Sequence, residues 1–362
     1  MKLKLTGLLL LAAMLMPPVW AEPEVNDEAT EQEISGVEDG GQGGVDNTKP
    51  LPKSAKAPRK LEGGWVLEWN DEFNGTRLDT KNWTCELGTV RNKGAFQAYV
   101  ESCVKVKDGV LQLISKAERT RNPSYGKPAP VAPWDSQTKE RPFASGSVTT
   151  KGNRTFSPPG RLEFRARIPK AKGVWPAIWT MHQNKYGWPA NGEIDILEHV
   201  SQEPNTVYSI FRWGQEGKPH GDKEHKVIRR TQIPEYSKEF HTYVLEWDKE
   251  YMRVLIDDKE VGRIAMDDAK YSNGDNPLLS PCYIIMNTAI GGQGTWPVKA
   301  DDPSQYPVTF EIDYVRYYKR SGNAKTADSD EGGDEEASAK GGKKGGKKTS
   351  AKSPKPAKGK KK

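Results

Sequence analysis

The stretch Asn191-Gly192-Glu193-Ile194-Asp195-Ile196-Leu197-Glu198-His199 places three carboxylates within six residues, separated by isoleucines and a leucine. Side chains along a strand alternate faces with a period of two. Glu193 and Asp195 therefore share one face, and Ile194 and Ile196 share the other. This is the pattern of a half-buried strand whose isoleucines sit in a core. Like charges on one sheet face repel and cost stability, so acids kept there imply a site that uses them.

Glu193 and Glu198 are the natural pair for such a site, but they lie five residues apart. An odd offset puts them on opposite faces of a regular strand, with Cα atoms roughly 16 Å apart. A bulge near Ile196-Leu197 restores a shared face and shortens the strand. The paired reading therefore predicts a bulge there. A regular strand would turn Glu198 away.

Around this stretch, residues 61–320 form one block with dense strand signals. Residues 104–114 (VKVKDGVLQLI) alternate apolar and polar around Asp108-Gly109, a two-residue hairpin turn. Residues 161–168, 242–247 and 252–256 alternate as well, with a turn at Asp257-Asp258-Lys259; residues 282–287 and 310–318 are further strands. Many short strands with Gly and Pro between them indicate an all-β sandwich or barrel. A β-jelly-roll sandwich with a concave-face cleft fits the length best.

The flanks read differently. Residues 1–21 carry Lys2 and Lys4, an apolar run over residues 8–16 and a small residue at Ala21, the pattern of a cleaved secretory signal peptide. That run is too short to span a bilayer, and no other stretch reads as transmembrane. Residues 22–60 are an acidic, then Gly/Pro/Lys-rich linker expected to be disordered. Residues 321–362 form an acidic patch followed by Lys/Gly/Ala/Pro repeats, also expected to be disordered. This tail holds twelve lysines against six acids, which accounts for the whole formal charge of +6 and leaves the rest of the chain neutral. No basic field covers the domain, which argues against nucleic acid as its main ligand. The tail could hold the protein on an anionic cell surface or matrix. Of the three cysteines, Cys85 and Cys103 could pair in an exported protein, leaving Cys282 over. The chain reads as secreted and monomeric.

Acid pairs on a strand face, in a chain with eleven tryptophans, point to carbohydrate. Sugar rings stack on aromatics, and cleavage of a glycosidic bond needs one carboxylic acid and one carboxylate. In retaining enzymes the two lie about 5–5.5 Å apart. Asp195, between them, can orient Glu193 and raise the proton affinity of the cluster.

Gly192-Glu193-Ile194-Asp195-Ile196-Leu197-Glu198 resembles the signature of glycoside hydrolase family 16, in the laminarinase-like (endo-β-1,3-glucanase) form with one extra residue before the last Glu. Residues 173–179 (GVWPAIW), 188–191 (WPAN), 69–75 (WNDEFNG), 287–292 (NTAIGG) and 310–318 (FEIDYVRYY) agree with it, so the resemblance covers about residues 65–318. It implies a jelly roll and retaining, endo-acting hydrolysis of a β-glycan with no catalytic cofactor. Glu193 becomes the nucleophile, Asp195 its helper and Glu198 the acid/base.

Trp175, Trp179 and Trp188 lie in family-like segments. Trp175 and Trp179 are four apart and share a face by alternation. Trp213 and Trp296 are candidates in loops, and Asn92, Arg212 and Asn287 complete the expected sugar-binding set. Arg212 stands where many laminarinase-like members have a His. Trp69, Trp83 and Trp247 read as core, and His199 as facing away from Glu198. The resemblance also implies a structural calcium held by backbone oxygens at Glu72 and Gly109 and by Asp313, donors that suit a hard cation; Asp313 capping a turn or pairing with Arg316 is the alternative. β-1,3-Glucan is the first substrate reading, with agar, carrageenan, porphyran and mixed-linkage glucan behind it. Two other classes stay open: a lectin-like carbohydrate-binding sandwich, and a basic-tailed polyanion binder.

Overall fold

The structure, a computed structural model, describes residues 56–88, 91, 93–127, 137–214 and 224–320. The signal peptide, nearly all of the linker, the tail and Asn92 lie outside the described residues. Within them the fold is two antiparallel sheets packed face to face. One is a nine-stranded sheet that includes Trp65–Asp71, Val308–Arg320, Gly160–Arg167, His241–Trp247, Tyr251–Ile256 and Lys259–Ala265 in that spatial order. The other runs Glu224–Gln232, Thr206–Gly214, Glu193–Glu198, Val174–His182, Cys282–Ile290, Ser147–Thr149, Thr84–Cys85. This is the expected jelly-roll sandwich. Helix contributes short 3-10 turns such as Met266–Ala269. No helix among the described residues is long and apolar enough to cross a membrane.

The alternating strands fold as their patterns predict. Val104–Lys107 and Val110–Ser115 pair across Asp108-Gly109, both at positive φ (55° and 81°), as a two-residue hairpin of this twist requires. Asp257 and Asp258 repeat the device between Tyr251–Ile256 and Lys259–Ala265. Leu162, Phe164, Leu245, Val254, Phe310 and Ile312 of one sheet meet Ile178, Ile194, Ile196, Leu197, Phe211, Ile284 and Met286 of the other in one core. Each fully buried Leu or Ile there contributes about 1.5–3 kcal/mol. Trp83 and Trp247 are fully buried and Trp69 packs against this core, as read from the sequence.

The seven-stranded sheet differs from a simple sandwich sheet because its central strands are buried on both faces. Its second face carries Trp175, Ala177, Trp179, Tyr208, Ile210, Tyr283 and Ile285, a second set of apolar clusters that floors a cleft.

Two expectations change at this level. Cys85, Cys103 and Cys282 are all free thiols, so no Cys85–Cys103 bridge forms. Trp213 is not in a loop. It lies in Thr206–Gly214 with parity opposite to Arg212, which sends it into the inter-sheet core. It therefore cannot bind sugar in the cleft. The convex face holds Glu72 and Asp313, yet both carboxylates are met by arginines. Glu72 accepts two bonds from Arg316 (2.9 Å each), and Asp313 accepts one from Arg165 (2.6 Å). Gly109 is the turn residue of the hairpin. Among the described residues no group of three acidic, His or Cys side chains is placed to hold a metal.

Candidate active site

The site begins with a backbone irregularity in Glu193–Glu198. Against Val174–His182, Met181 pairs with Glu193, Trp179 with Asp195 and Ile178 with Leu197, so Ile196 is the extra residue. Against Thr206–Gly214, the register shifts between Asp195 and Glu198, which pair with Ile210 and Tyr208. Two residues, Ile196 and Leu197, thus oppose the single Ser209. Both send their side chains into the core, fully buried. The face count skips one step, and Glu198 emerges on the same side as Glu193 and Asp195. The Ile196 carbonyl accepts a bond from Ser209 Oγ (3.0 Å). This is the bulge that the five-residue spacing demanded.

Gly192 precedes the strand at φ +92°, and a Cβ there would sit 2.6 Å from Leu278 Cδ2, so only glycine lets the chain enter. The preceding loop is fixed by Asn184, which donates to the Asn191 carbonyl, and by Asn191, which donates to the His182 carbonyl (2.9 Å each). That loop presents Trp188.

Each glutamate has an indole partner. Trp188 Nε1 donates to Glu193 Oε2 (2.8 Å), and Trp175 Nε1 donates to Glu198 Oε1 (2.7 Å). Arg212, paired in register with Glu193, brings its Nε to 3.3 Å from Glu193 Oε1 and its guanidinium over the Trp188 ring. Glu193, Asp195 and Glu198 are only 5–9 % exposed. Burial pushes the Glu198 carboxyl up to about 7, and the Glu193 charge adds to this; Arg212, the Trp175 bond and Lys226 oppose it. A carboxyl protonated near neutrality thus sits on one face with a carboxylate held by an indole N–H and a guanidinium.

Of the expected sugar-binding residues, the structure brings Trp175, Trp179, Trp188, Arg212, Asn287 and Trp296 to this face. Trp175 and Trp179 do share it, with Ala177 between them. Trp179 Nε1 donates to Asn287 Oδ1 (2.8 Å), whose Nδ2 donates to Tyr99 Oη (3.1 Å). Trp296 reaches in from a loop and packs edge-on against Trp175 and Tyr208. His199 turns away, buried, with Nδ1 2.8 Å from the Thr206 carbonyl. Two cleft residues escaped the sequence reading. Tyr208 shares the face of Arg212, four residues on, a parity available once the strand is recognised. Arg91 lies over the Trp179 ring at 4.9 Å and pairs with Glu86; no local pattern announces it.

Paired acids beneath tryptophans, on one face of a two-sheet sandwich, define a glycoside hydrolase. The chain belongs to glycosyl hydrolases family 16, whose family model matches residues 102–316. It is 32% identical to a glucan endo-1,3-beta-glucosidase of Cryptopygus antarcticus, over 70% of this chain and 92% of that one. Among solved structures it is similar to the endo-beta-1,3-glucanase from Pyrococcus furiosus (TM-score 0.61, 28% identity, 73% of this chain and 98% of that chain). It is also similar to a structure from work on endo-acting O-glycanases with which human gut microbiota initiate mucin breakdown (TM-score 0.69, 44% identity, 75% of this chain and 97% of that chain).

Proposed function

We propose that the chain is a secreted, monomeric, retaining endo-β-glycan hydrolase, with its signal peptide removed and its domain spanning residues 61–320. The observation that carries the mechanism is the bulge at Ile196, which sets a carboxyl of raised proton affinity on the face of Glu193. Glu193 attacks the anomeric carbon while Glu198 gives its proton to the departing glycosidic oxygen. Trp175 occupies Glu198 Oε1, which leaves Oε2 to carry that proton. The glycosyl ester on Glu193 is then opened by water, whose proton returns to Glu198. Arg212 and the Trp188 N–H hold the Glu193 carboxylate in place, and Asp195 orients it. Trp175, Trp179, Trp188, Arg212, Asn287 and Trp296 line the path of the sugar chain.

The first substrate reading is a β-1,3-glucan of laminarin type, supported by the endo-1,3-glucanase relatives. A second, an O-glycan of mucin type, is supported by the 44% identity to the structure from the O-glycanase work and by Arg212 in the place of the laminarinase His. Reducing-end release from laminarin, lichenan, agarose, κ-carrageenan, xyloglucan and mucin O-glycans separates them. Glu193→Gln should lower hydrolysis by about three orders of magnitude or more while binding persists. Failure of the folded wild type on every substrate would sink the hydrolase reading and favour a lectin.

A further inference from the structure

The strand Glu224–Gln232 forms the outer edge of the cleft sheet. It pairs in register with Thr206–Gly214, so that Lys226 faces Arg212, Ile228 faces Ile210 and Arg230 faces Tyr208. Cross-strand partners project from the same face, which turns Lys226, Ile228 and Arg230 to the cleft. Arg212 and Tyr208 pair in turn with Glu193 and Glu198. Two rows therefore cross the sheet, Glu193–Arg212–Lys226 and Glu198–Tyr208–Arg230. At about 4.8 Å per strand, each ends in a cation about 10 Å from the acidic strand, a distance of roughly two sugar units.

Both cations are tied to the cleft. The Lys226 charge acts on Glu198. Arg230 lies 5.6 Å over the Tyr208 ring, and its charge and that of Glu203 act in opposite directions on the Tyr208 hydroxyl. Ile228, between them, pairs with Ile210 and packs against the apolar cluster that contains it, so the wall is apolar at its centre and cationic at both ends. Basic residues on an edge strand also deter sheet-to-sheet association. Arg229, whose side chain packs against Gly262 of the other sheet, shows that this strand places a cation on its other face as well. Protection of the edge does not require two of them to face the substrate.

Taking the hydrolase reading above as its basis, we propose that Lys226 and Arg230 form an anion-recognising wall. It takes a sulfate ester or carboxylate on a sugar about two units from the scissile bond, on the Thr206–Gly214 side. Guanidinium and ammonium groups make their strongest hydrogen bonds to such oxyanions. At a partly exposed site each cation should be worth about 2–5-fold in affinity.

The test reads a ratio within each protein. Laminarin, sulfated laminarin and carboxymethylated laminarin form one series. Mucin O-glycans, native, desulfated and desialylated, form the other. Wild type should show kcat/KM about 5–20-fold higher on an anionic member than on its neutral counterpart, and the sulfate and carboxylate arms identify which group is read. Lys226→Gln/Arg230→Gln should bring the ratio near one, Arg230→Gln alone part of the way, and raised salt should do the same in wild type. An unchanged ratio in the folded double variant overturns the wall, as does a wild-type ratio at or below one in both series. If no member is hydrolysed, the hydrolase reading fails on its own account. Calorimetric affinities of Glu193→Gln for the same series, with and without the two substitutions, then decide the wall separately.

Discussion

Glu198 must hold a proton at neutral pH, and its surroundings arrange this by opposing effects. Burial raises its proton affinity, and the carboxylate of Glu193 raises it further. The Trp175 N–H and Arg212 pull it back, which leaves it at about 7 rather than far above. Activity that depends on the protonated form should therefore fall as pH rises through about 7. The indole bond favours the charged form, so its removal must move that limb upward. Trp175→Phe should shift the basic limb of kcat/KM to higher pH, measurable in a pH–rate profile, with some loss of rate. An unchanged limb would show that the bond does not tune the acid. The carboxylates and their order were legible in the sequence, because acids on a strand face need a reason. Their indole partners were legible only as aromatics near sugar. That Trp175 and Trp188 each donate to a different glutamate depends on a loop and a neighbouring strand, which no local pattern encodes.

At the scale of the strand, the odd spacing of Glu193 and Glu198 predicted the bulge by parity alone. The residue that holds it did not show. Ser209 lies fully buried opposite Ile196 and Leu197, with its hydroxyl on the Ile196 carbonyl. A buried carbonyl without a partner costs about 1–3 kcal/mol. Ser209→Ala should lower stability by about that amount in urea titration and reduce kcat more than it changes KM, because Glu198 loses its fixed aim; Ser209→Thr should recover part of both. Equal kcat in wild type and Ser209→Ala would leave the hydroxyl a stability element only. Thr206–Gly214 was the hard strand to read. Its cleft face carries Tyr208 and Ile210 and its core face Val207, Phe211 and Trp213, so no polar side marks the alternation. Trp213 was misplaced for that reason. In the nine-stranded sheet Tyr251–Ile256, buried at every second residue, showed a clean period of two.

Across the whole molecule, charge is divided by region. The convex sheet pairs its own charges: Arg161 with Glu163 and Glu246, Arg253 with Glu246 and Glu260, Arg165 with Asp313, and Arg167 with Glu311. The chain up to residue 320 sums to zero, and residues 321–362 carry the surplus of +6. Removing residues 321–362 should leave hydrolysis of a soluble substrate unchanged but lower the salt needed for elution from heparin or an anionic matrix. Equal elution would end the retention role expected of the tail. Fold class was readable from strand density and composition. The arginine partners of Glu72 and Asp313 were not, since those pairs join residues 148 and 244 positions apart.

The extra residue at Ile196 makes chain length, rather than side-chain identity, the variable that decides where Glu198 points. Loss of one codon at 196 leaves Glu-Ile-Asp-Leu-Glu, in which plain alternation returns both glutamates to the cleft. Gain of one codon makes the offset six: plain alternation again turns both glutamates to the cleft, but with Cα atoms roughly 20 Å apart, too far to act on one bond. A protein lacking residue 196 should fold, weakened by about 2–4 kcal/mol for the lost core side chain, and keep measurable hydrolysis. A protein with one residue inserted there should lose hydrolysis altogether. Deletion is thus the mutational step this site can survive, and insertion the step it cannot.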